Sequence, residues 1–341
     1  MYIPAIIAGL ISFLLTPQVI KLAHRFGAID IPKDERRVHS KPIPLWGGLA
    51  IFTGFFVSMF LFANIEPFKL MGLLIASLIV LITGMIDDVK PLGAKGKLMM
   101  QIIAAIVLVT AGFEIKYFTN YFADSGYIML GAFSLPISII WIVGVTNTVN
   151  LIDGLDGLAA GISAIAAITL SYIAMINLRY DAAMITLILA GSSIGFLPFN
   201  FNPAKIFMGD AGALFLGLVL SAVSIDGALK GATALTVVVP ILALGVPIFD
   251  TTFAILRRKI NRKPIMEADR GHLHHRLLSL GFNQKKAVLA MYLISALLGG
   301  GAIELLKENW IPAGILLGIA VVVVIIPINR SLWLEKKNTL E

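Results

Sequence analysis

The sequence predicts an all-α fold, a polytopic transmembrane helical bundle. Of its 341 residues, 58% are hydrophobic and 14% are charged, whereas an average soluble domain carries about 25% charged residues. Apolar runs of about 18 or more residues recur along the chain, and each is long enough to cross the roughly 30 Å hydrocarbon layer of a membrane as a helix. We therefore expect a single integral-membrane domain over residues 1–341.

The apolar runs, taken in order, predict about eleven spans. The first run has no basic residue before it and no small-residue cleavage site after it, so we expect a retained span and not a signal peptide. The predicted spans cover residues 2–22, 45–64, 69–86, 98–113, 136–149, 157–177, 182–199, 211–225, 235–255, 286–305 and 310–328.

The distribution of basic residues predicts the orientation of these spans. If the helices alternate, the loops after the odd-numbered spans share one side with the C-terminus, and that side carries 22 of the 27 Lys and Arg residues. Basic residues collect in cytoplasmic loops, so we expect the N-terminus outside and the C-terminus in the cytoplasm. This asymmetry explains the net charge of +7 without a nucleic-acid partner. On the outer side, residues 114–135 predict either a small hairpin or an interfacial cap.

Acidic residues also collect on the predicted cytoplasmic side, which holds 13 of the 20 Asp and Glu residues. Asp87 and Asp88 end the third span, at a helix C-terminus where the macrodipole disfavours negative charge. A solvated helix end is one explanation. Because ionisable groups at membrane depth are costly and usually functional, the pattern favours a cation or phosphate site.

A second polar group lies between the fifth and sixth spans, in the sequence Asn-Leu-Ile-Asp-Gly-Leu-Asp-Gly. Asn150, Asp153 and Asp156 are spaced by three residues, which places them on one face if the segment is helical. Gly154 and Gly157 allow a ligand or a backbone to approach closely. For Asp156 an N-cap of the sixth span is the alternative.

Two further carboxylates lie at the ends of later spans. Asp210, in Phe-Met-Gly-Asp, starts the eighth span, and either a ligand role or a helix N-cap explains it. Asp250 lies near the inner end of the ninth span. We expect it to pair with Arg257 or Arg258 and to support the residues that touch substrate.

The last large inner loop carries Arg-Gly-His-Leu-His-His-Arg, from Arg270 to Arg276. Its imidazoles could bind a metal ion, or they could form an anion pocket with the arginines; the flanking arginines favour phosphate. Cysteine is absent, which excludes thiolate sites. Carboxylates suit Mg²⁺ or Mn²⁺, so their combination with a phosphate pocket at a membrane surface predicts phosphoryl transfer.

These motifs together resemble those of the polyprenyl-phosphate N-acetylhexosamine-1-phosphate transferases. The resemblance extends from the inner loop around Asp30 and the Arg36–Gly48 segment to the His272–His275 run. It includes the paired aspartates, Asn-x-x-Asp-Gly-x-Asp-Gly and Phe-Met-Gly-Asp. The chain looks most like the undecaprenyl-phosphate N-acetylglucosamine-1-phosphate transferases, because the peptidoglycan branch more usually has three consecutive histidines where Leu273 interrupts them here.

The resemblance implies transfer of N-acetylglucosamine 1-phosphate from UDP-N-acetylglucosamine to undecaprenyl phosphate at the cytoplasmic face of a bacterial inner membrane, with release of UMP and a requirement for Mg²⁺. By motif, Asp210 would be a principal metal ligand, with Asp88 and Asp153 as further candidates. Asp87 and Asp88 would serve the lipid phosphate. The nucleotide-sugar pocket and its phosphates would be served by Asn150, Asp153, Asp156, Asn200, Phe207 (stacked on uracil), Lys95, His272, His274 and His275.

Three different functions are also compatible with these residues. Transfer of another sugar within the same family, including that of the phospho-N-acetylmuramoyl-pentapeptide transferase, is the nearest. Ion-coupled transport would also gather carboxylates, although transporter sites usually lie near the bilayer midplane between repeated halves. A zinc-dependent hydrolase would use the histidine cluster. The expected partners are the UDP-sugar, the polyprenyl phosphate and membrane lipid, and a homodimer is left open.

Overall fold

The computed structural model describes residues 2–32, 41–119, 127–227, 237–260 and 271–338. Within these ranges the chain is a helical bundle with two short antiparallel strand pairs. The helices are α1 (Tyr2–Phe26), α2 (Gly47–Phe62), α3 (Pro67–Val89), α4 (Ala94–Thr110), α5 (Ser134–Ile152), α6 (Leu158–Ile176), α7 (Tyr180–Asn200), α8 (Gly209–Gly227), α9 (Val238–Ala243), α10 (Gly245–Ile260), α11 (Leu273–Ser279), α12 (Gln284–Leu306) and α13 (Trp310–Asn338).

Seven helical segments in the described ranges are long and apolar enough to cross a membrane. They are α1, α3, α6, α7, α8, α12 and the Gly131–Ile152 segment that contains α5. Two shorter apolar helices cover Gly47–Phe62 and Trp310–Ile326. The prediction of a helical, multi-pass membrane protein is confirmed, while the count of eleven spans and the orientation of the termini stay predictions.

The ninth predicted span, 235–255, is not one helix. Its first two residues lie outside the described ranges; after them, α9 ends at Ala243 and α10 begins at Gly245. Pro247 lies in the first turn of α10, where its missing N–H leaves no helical hydrogen bond unmade. Helix α10 ends in Arg257, Arg258 and Lys259, which is typical of a helix that ends at a membrane surface.

Helix α8 lies at the centre of the bundle and is buried along almost its whole length, against α2, α3, α5, α6 and α7. Glycines on its neighbours allow close approach. A Cβ on Gly48 would overlap the backbone of Gly212, and a Cβ on Gly84 would overlap that of Ala211. An ion pair between Lys69 and Asp226 joins the start of α3 to the end of α8.

The strands close two loops. β1 (Ile29–Asp30) pairs with β2 (Ile43–Pro44), and β3 (Tyr117–Thr119) pairs with β4 (Tyr127–Met129). For residues 114–135, the sequence predicts either a hairpin or an interfacial cap, and the antiparallel pairing of β3 with β4 agrees with the hairpin. The segment before α8 is joined to β2, because the Phe207 N–H donates to the Pro44 carbonyl at 2.9 Å and the Gly47 N–H donates to the Phe207 carbonyl at 3.0 Å.

Candidate active site

Polar side chains from four helices meet where α3 and α5 end and α4 and α8 begin. We call this the basic end of the bundle, because the predicted cytoplasmic loops, which carry most of the Lys and Arg residues, lie on this side. Lys97 Nζ lies 3.1 Å from Asp87 Oδ2 and forms a closer ion pair with Asp210. Asn150 Nδ2 donates to Asp210 Oδ1 at 2.9 Å. These residues, together with Asp88, form what we call the carboxylate cluster.

Asp88 is engaged differently from its neighbour Asp87. Its Oδ1 accepts the N–H of Asp210 at 2.9 Å, and its Oδ2 is buried without a hydrogen-bond partner among the described residues. Gly209 has φ +70 and lies so close to Asp88 that a Cβ would overlap the carboxylate. Asp88 therefore caps α8 from another helix, at the end where the macrodipole favours negative charge.

Because Asp88 caps α8, the N-cap role considered for Asp210 is excluded. Helix α8 begins at Gly209, so Asp210 lies within the first turn and is not the N-cap. Its side chain points instead to Lys97 and Asn150, and 28% of its surface is exposed, more than for either Asp87 or Lys97. Asp210 is therefore more accessible to a ligand than Asp87.

The structure brings Lys97, and not Lys95, to the carboxylates. Lys95 is exposed and forms no ion pair with any described residue. Residues two apart on a helix point in nearly opposite directions, so only one of these lysines can face the cluster. In the sequence, the polar residue Gln101 lies one helical turn after Lys97 and therefore on the same face of α4. In the structure that face turns toward α5, because Gln101 exchanges hydrogen bonds with Asn147.

The loop after α5 holds the other predicted aspartates. Asp153 follows the last residue of α5, and burial together with the negative charges of Asp210 and Asp156 raises its pKa to about 8. A carboxyl group with this pKa is largely protonated at neutral pH unless a cation lies beside it.

Asp156 fastens the loop between α7 and α8. Its Oδ2 accepts from Asn202 Nδ2 at 2.9 Å and from the Ala204 N–H at 3.0 Å. The N-cap of α6 is Gly157, whose turn carries no side-chain cap. The helix-cap interpretation of Asp156 is therefore wrong, and the oxygen that would line a pocket is engaged in holding the loop.

Asn200 and Phe207 lie at the two ends of the same loop. Asn200 Nδ2 donates to the Ile206 carbonyl at 3.0 Å, while its Oδ1 is buried without a partner in the part of the chain that the structure describes. Phe207 is half-buried and fixed through its backbone to the segment around β2. The structure thus places Asn200 at the end of α7 and Phe207 just before α8, at the two ends of the connecting loop.

The three late-loop histidines form a row. The rings of His272 and His274 are stacked with centroids 5.7 Å apart, and those of His274 and His275 are 4.3 Å apart. Burial lowers the pKa of His274 to about 3, so this ring is neutral at physiological pH. Only 2.7 Å would separate His274 Nε2 from a Cβ on Gly154, which places the row beside the loop of Asp153.

One predicted pairing is wrong. Asp250 contacts neither Arg257 nor Arg258 in the hydrogen bonds of the described residues; it binds His272 Nδ1 at 2.9 Å and the Leu273 N–H at 2.8 Å. Arg257 instead donates to the Gly271 carbonyl at 2.9 Å. Of the sequence motifs, residues 36–40 of the Arg36–Gly48 segment and Arg270 lie outside the described residues.

The donor set of the carboxylate cluster fits a hard divalent cation. Carboxylate oxygens of Asp87 and Asp210 converge there, and the cationic ammonium group of Lys97 lies between them. No group of three or more His, Asp or Glu side chains in the described ranges is arranged as a ready ligand set. Mg²⁺ needs no such set, because it commonly binds one or two carboxylates and completes its shell with substrate phosphates and water.

A helical membrane bundle with carboxylates, a lysine and histidines gathered at one end defines a class of membrane enzyme that acts on phosphate-linked groups. Comparison with known proteins agrees with this class. A profile described as glycosyl transferase family 4 matches residues 70–228.

Named relatives cover most of the chain. It is 39% identical over 300 residues to the probable undecaprenyl-phosphate N-acetylglucosaminyl 1-phosphate transferase of Bacillus subtilis (strain 168), covering 88% of this chain and 83% of the relative. It is 33% identical to the decaprenyl-phosphate N-acetylglucosaminephosphotransferase of Mycolicibacterium smegmatis, covering 95% of this chain and 87% of the relative. It is 32% identical to the undecaprenyl-phosphate alpha-N-acetylglucosaminyl 1-phosphate transferase of Thermotoga maritima, covering 78% of each.

The chain belongs to glycosyl transferase family 4. The resemblance drawn from its motifs is confirmed, and the protein is a membrane-bound sugar-phosphate transferase.

Proposed function

We propose that this protein transfers N-acetylglucosamine 1-phosphate from UDP-N-acetylglucosamine to undecaprenyl phosphate at the cytoplasmic face of the membrane, producing undecaprenyl diphosphate N-acetylglucosamine and UMP. The names of the relatives support this choice of donor and acceptor. The single observation that carries it is the carboxylate cluster, in which Asp87, Asp210 and Lys97 meet at the end of the bundle. The excess of basic residues at that end supports the cytoplasmic orientation.

We further propose that Mg²⁺, or Mn²⁺ in its place, is the cofactor. Asp210 would hold it, with Asp87 beside it, because the oxygens of these two carboxylates face the same positively charged group, the Lys97 ammonium. Asn150 would orient Asp210 by donating to its Oδ1. Asp153, whose pKa is raised by burial and in part by the charge of Asp210, would lose its proton and add a negative charge when the ion is bound nearby. When bound, the ion would neutralise charge on the diphosphate of the UDP-sugar donor. The engagement of Asp88 in the α8 cap argues for a supporting role for this residue.

The side chains of the protein would bind and align the two phosphates. An oxygen of the lipid phosphate attacks the β-phosphorus of the UDP-sugar, the bond from that phosphorus to the bridging oxygen breaks, and UMP leaves. A phosphate monoester has a second pKa near about 6, so the attacking group is already largely dianionic and needs little help from a base. Lys97 would neutralise phosphate charge, and the loop carrying His272, His274 and His275 would hold the diphosphate.

A direct displacement follows from this ionisation. A two-step path through a phosphorylated aspartate would require an additional high-energy acyl phosphate. The proposed path forms no covalent bond to Asp88 or Asp153, so labelled UMP should not exchange into the UDP-sugar when lipid phosphate is rigorously removed. Mg²⁺-dependent exchange that disappears in Asp153→Asn would contradict the direct path.

The experiment that tests the function uses purified protein in detergent with undecaprenyl phosphate, Mg²⁺ and a panel of UDP-sugars, and it measures UMP. We expect UMP with UDP-N-acetylglucosamine, and none when either the lipid or the divalent cation is left out. UMP formed only with UDP-N-acetylmuramoyl-pentapeptide would contradict the proposed donor and indicate the reaction of the peptidoglycan branch. UMP formation that EDTA does not reduce would exclude the metal assignment.

A further inference from the structure

Asp250 and His272 form a buried pair outside the carboxylate cluster. His272 Nδ1 lies 2.9 Å from Asp250 Oδ2, and their side chains are 9% and 8% exposed. An ionised carboxylate can only accept hydrogen bonds, so Nδ1 of the imidazole carries the proton in this contact. The pair therefore fixes which ring nitrogen of His272 is protonated.

The second oxygen of Asp250 fixes the backbone next to the ring. Oδ1 accepts the N–H of Leu273, the first residue of α11, at 2.8 Å. His272 is the N-cap residue of α11 and makes no side-chain cap of its own. One carboxylate on α10 thus orients both the imidazole and the helix that follows it.

Two arginines hold the preceding residue. Arg257 Nη1 donates to the Gly271 carbonyl at 2.9 Å, and Arg276 Nε donates to the same oxygen at 3.2 Å. A Cβ on Gly271 would overlap the Arg257 guanidinium. The backbone on both sides of His272 is therefore fastened to α10, and the ring has little freedom to rotate.

The free edge of the His272 ring is the part left for a ligand. Its Nε2 has no hydrogen-bond partner among the described residues, and its face is stacked on His274, which lies against Gly154 beside Asp153. Nε2 is opposite Nδ1 on the ring, so it points away from Asp250. With Nδ1 protonated, a proton bound at Nε2 makes an imidazolium that can donate to a phosphate oxygen.

We propose that Asp250 is a positioning residue for the transfer reaction: it holds His272 as the Nδ1–H tautomer and balances the charge that the ring acquires when Nε2 donates to a phosphate oxygen of the substrate. This inference rests on the proposed function for its substrate, but the state of the ring does not. A carboxylate behind a functional histidine sets its tautomer and orientation in the same way in metal sites and triads.

The test combines a spectrum with kinetics. Protein labelled with [¹⁵N]histidine contains only 5 histidines, and the His272 signals are identified by their absence in His272→Asn. The ring nitrogen shifts should show the Nδ1–H tautomer in the wild type. In Asp250→Asn the amide N–H can donate to Nδ1, so the proton should move to Nε2. We expect kcat for UMP release to fall about 10- to 100-fold, the range seen when such supporting partners are removed.

Two controls separate positioning from a general loss of structure. Asp181→Asn removes an exposed carboxylate at the start of α7 and should leave both the spectrum and kcat unchanged. Because Asp250 acts through His272, adding Asp250→Asn to His272→Asn should lower kcat no further. If Asp250→Asn does not purify as folded protein, Asp250→Glu, which keeps the charge, should retain the tautomer with reduced kcat.

The outcomes distinguish this inference from the proposed function. An unchanged tautomer in Asp250→Asn, an unchanged kcat, or additive losses in the double variant would overturn the positioning role. A wild-type protein that shows the Nδ1–H tautomer but releases no UMP from UDP-sugars would overturn the proposed function and with it the catalytic part of this inference. The Asp250–His272 pair itself would then stand.

Discussion

At the scale of single residues, the site depends on which atoms of each carboxylate are already engaged. Asp87 and Asp88 are equivalent neighbours in the sequence, yet in the structure one binds Lys97 and the other caps α8. Asp156 likewise belongs to the predicted motif but holds the Asn202 loop. Residue type and spacing predict membership of the site, whereas the division of roles depends on contacts between helices that are distant in sequence.

Lys97 and Lys95 give the sharpest contrast between sequence and structure at this scale. Replacing Lys97 by Ala removes the only ammonium that contacts Asp87 and Asp210 in the described residues. We expect kcat/KM for UMP release to fall about 100-fold, as when one charged donor is removed from a phosphate or oxyanion site. Lys95→Ala is the matched control and should stay within about twofold of wild type. Equal losses in the two variants would contradict the placement of Lys97.

His274 predicts a pH dependence of stability. Its pKa is lowered by burial to about 3 from an ordinary value of 6.5, so between these values the unfolded chain binds more protons than the folded one. Stability should therefore fall as pH falls below about 6.5, by about 2 kcal/mol between about pH 7.5 and pH 5. His274→Gln should lose less stability over that range, measured by thermal denaturation in detergent. An equal pH dependence in variant and wild type would show that the ring is accessible to protons.

At the scale of elements, small residues let α3 and α8 approach closely enough to bring their carboxylates together. The lengths of most helices could be predicted from apolar runs, but the break at Leu244 could not, since residues 235–255 read as one hydrophobic stretch. The sequence also does not predict which face of α4 turns toward the carboxylates. Hydrophobicity does not distinguish Lys95 from Lys97, because both lie in the first turn of α4.

A substitution at Gly84 tests whether the cluster depends on the close contact between α3 and α8. Gly84 lies one turn before Asp87 and Asp88, and a Cβ there would overlap the backbone of Ala211. We expect Gly84→Ala to force the helices apart, to cost about 1–3 kcal/mol of stability, and to lower UMP release at temperatures where the variant stays folded. Gly96→Ala in α4 is the control, because no atom of the described residues lies within 4 Å of its added Cβ. Wild-type activity in Gly84→Ala would show that the cluster does not depend on this approach.

At the scale of the whole molecule, the proposed reaction requires that the basic end of the bundle face the cytoplasm. The chain has no cysteine, so a single introduced cysteine reports its own exposure to a membrane-impermeant maleimide. Lys116→Cys, at the end opposite the cluster, should be labelled in intact cells. Lys95→Cys should be labelled only after the membrane is opened. Labelling in the reverse order would place the carboxylate cluster outside the cell.

The most direct test of sugar-phosphate transfer at the carboxylate cluster follows each phosphate of the donor. Purified protein is given undecaprenyl phosphate, Mg²⁺ and UDP-N-acetylglucosamine that carries radioactive phosphorus in either the α- or the β-position. Wild-type protein should move the β-label into the lipid fraction and leave the α-label in UMP. Asp210→Asn, which keeps an oxygen for Asn150 but loses the charge that binds a cation, should do neither while remaining folded. A β-label released as water-soluble sugar phosphate, or an Asp210→Asn variant with more than about a tenth of wild-type transfer, would contradict sugar-phosphate transfer at this site.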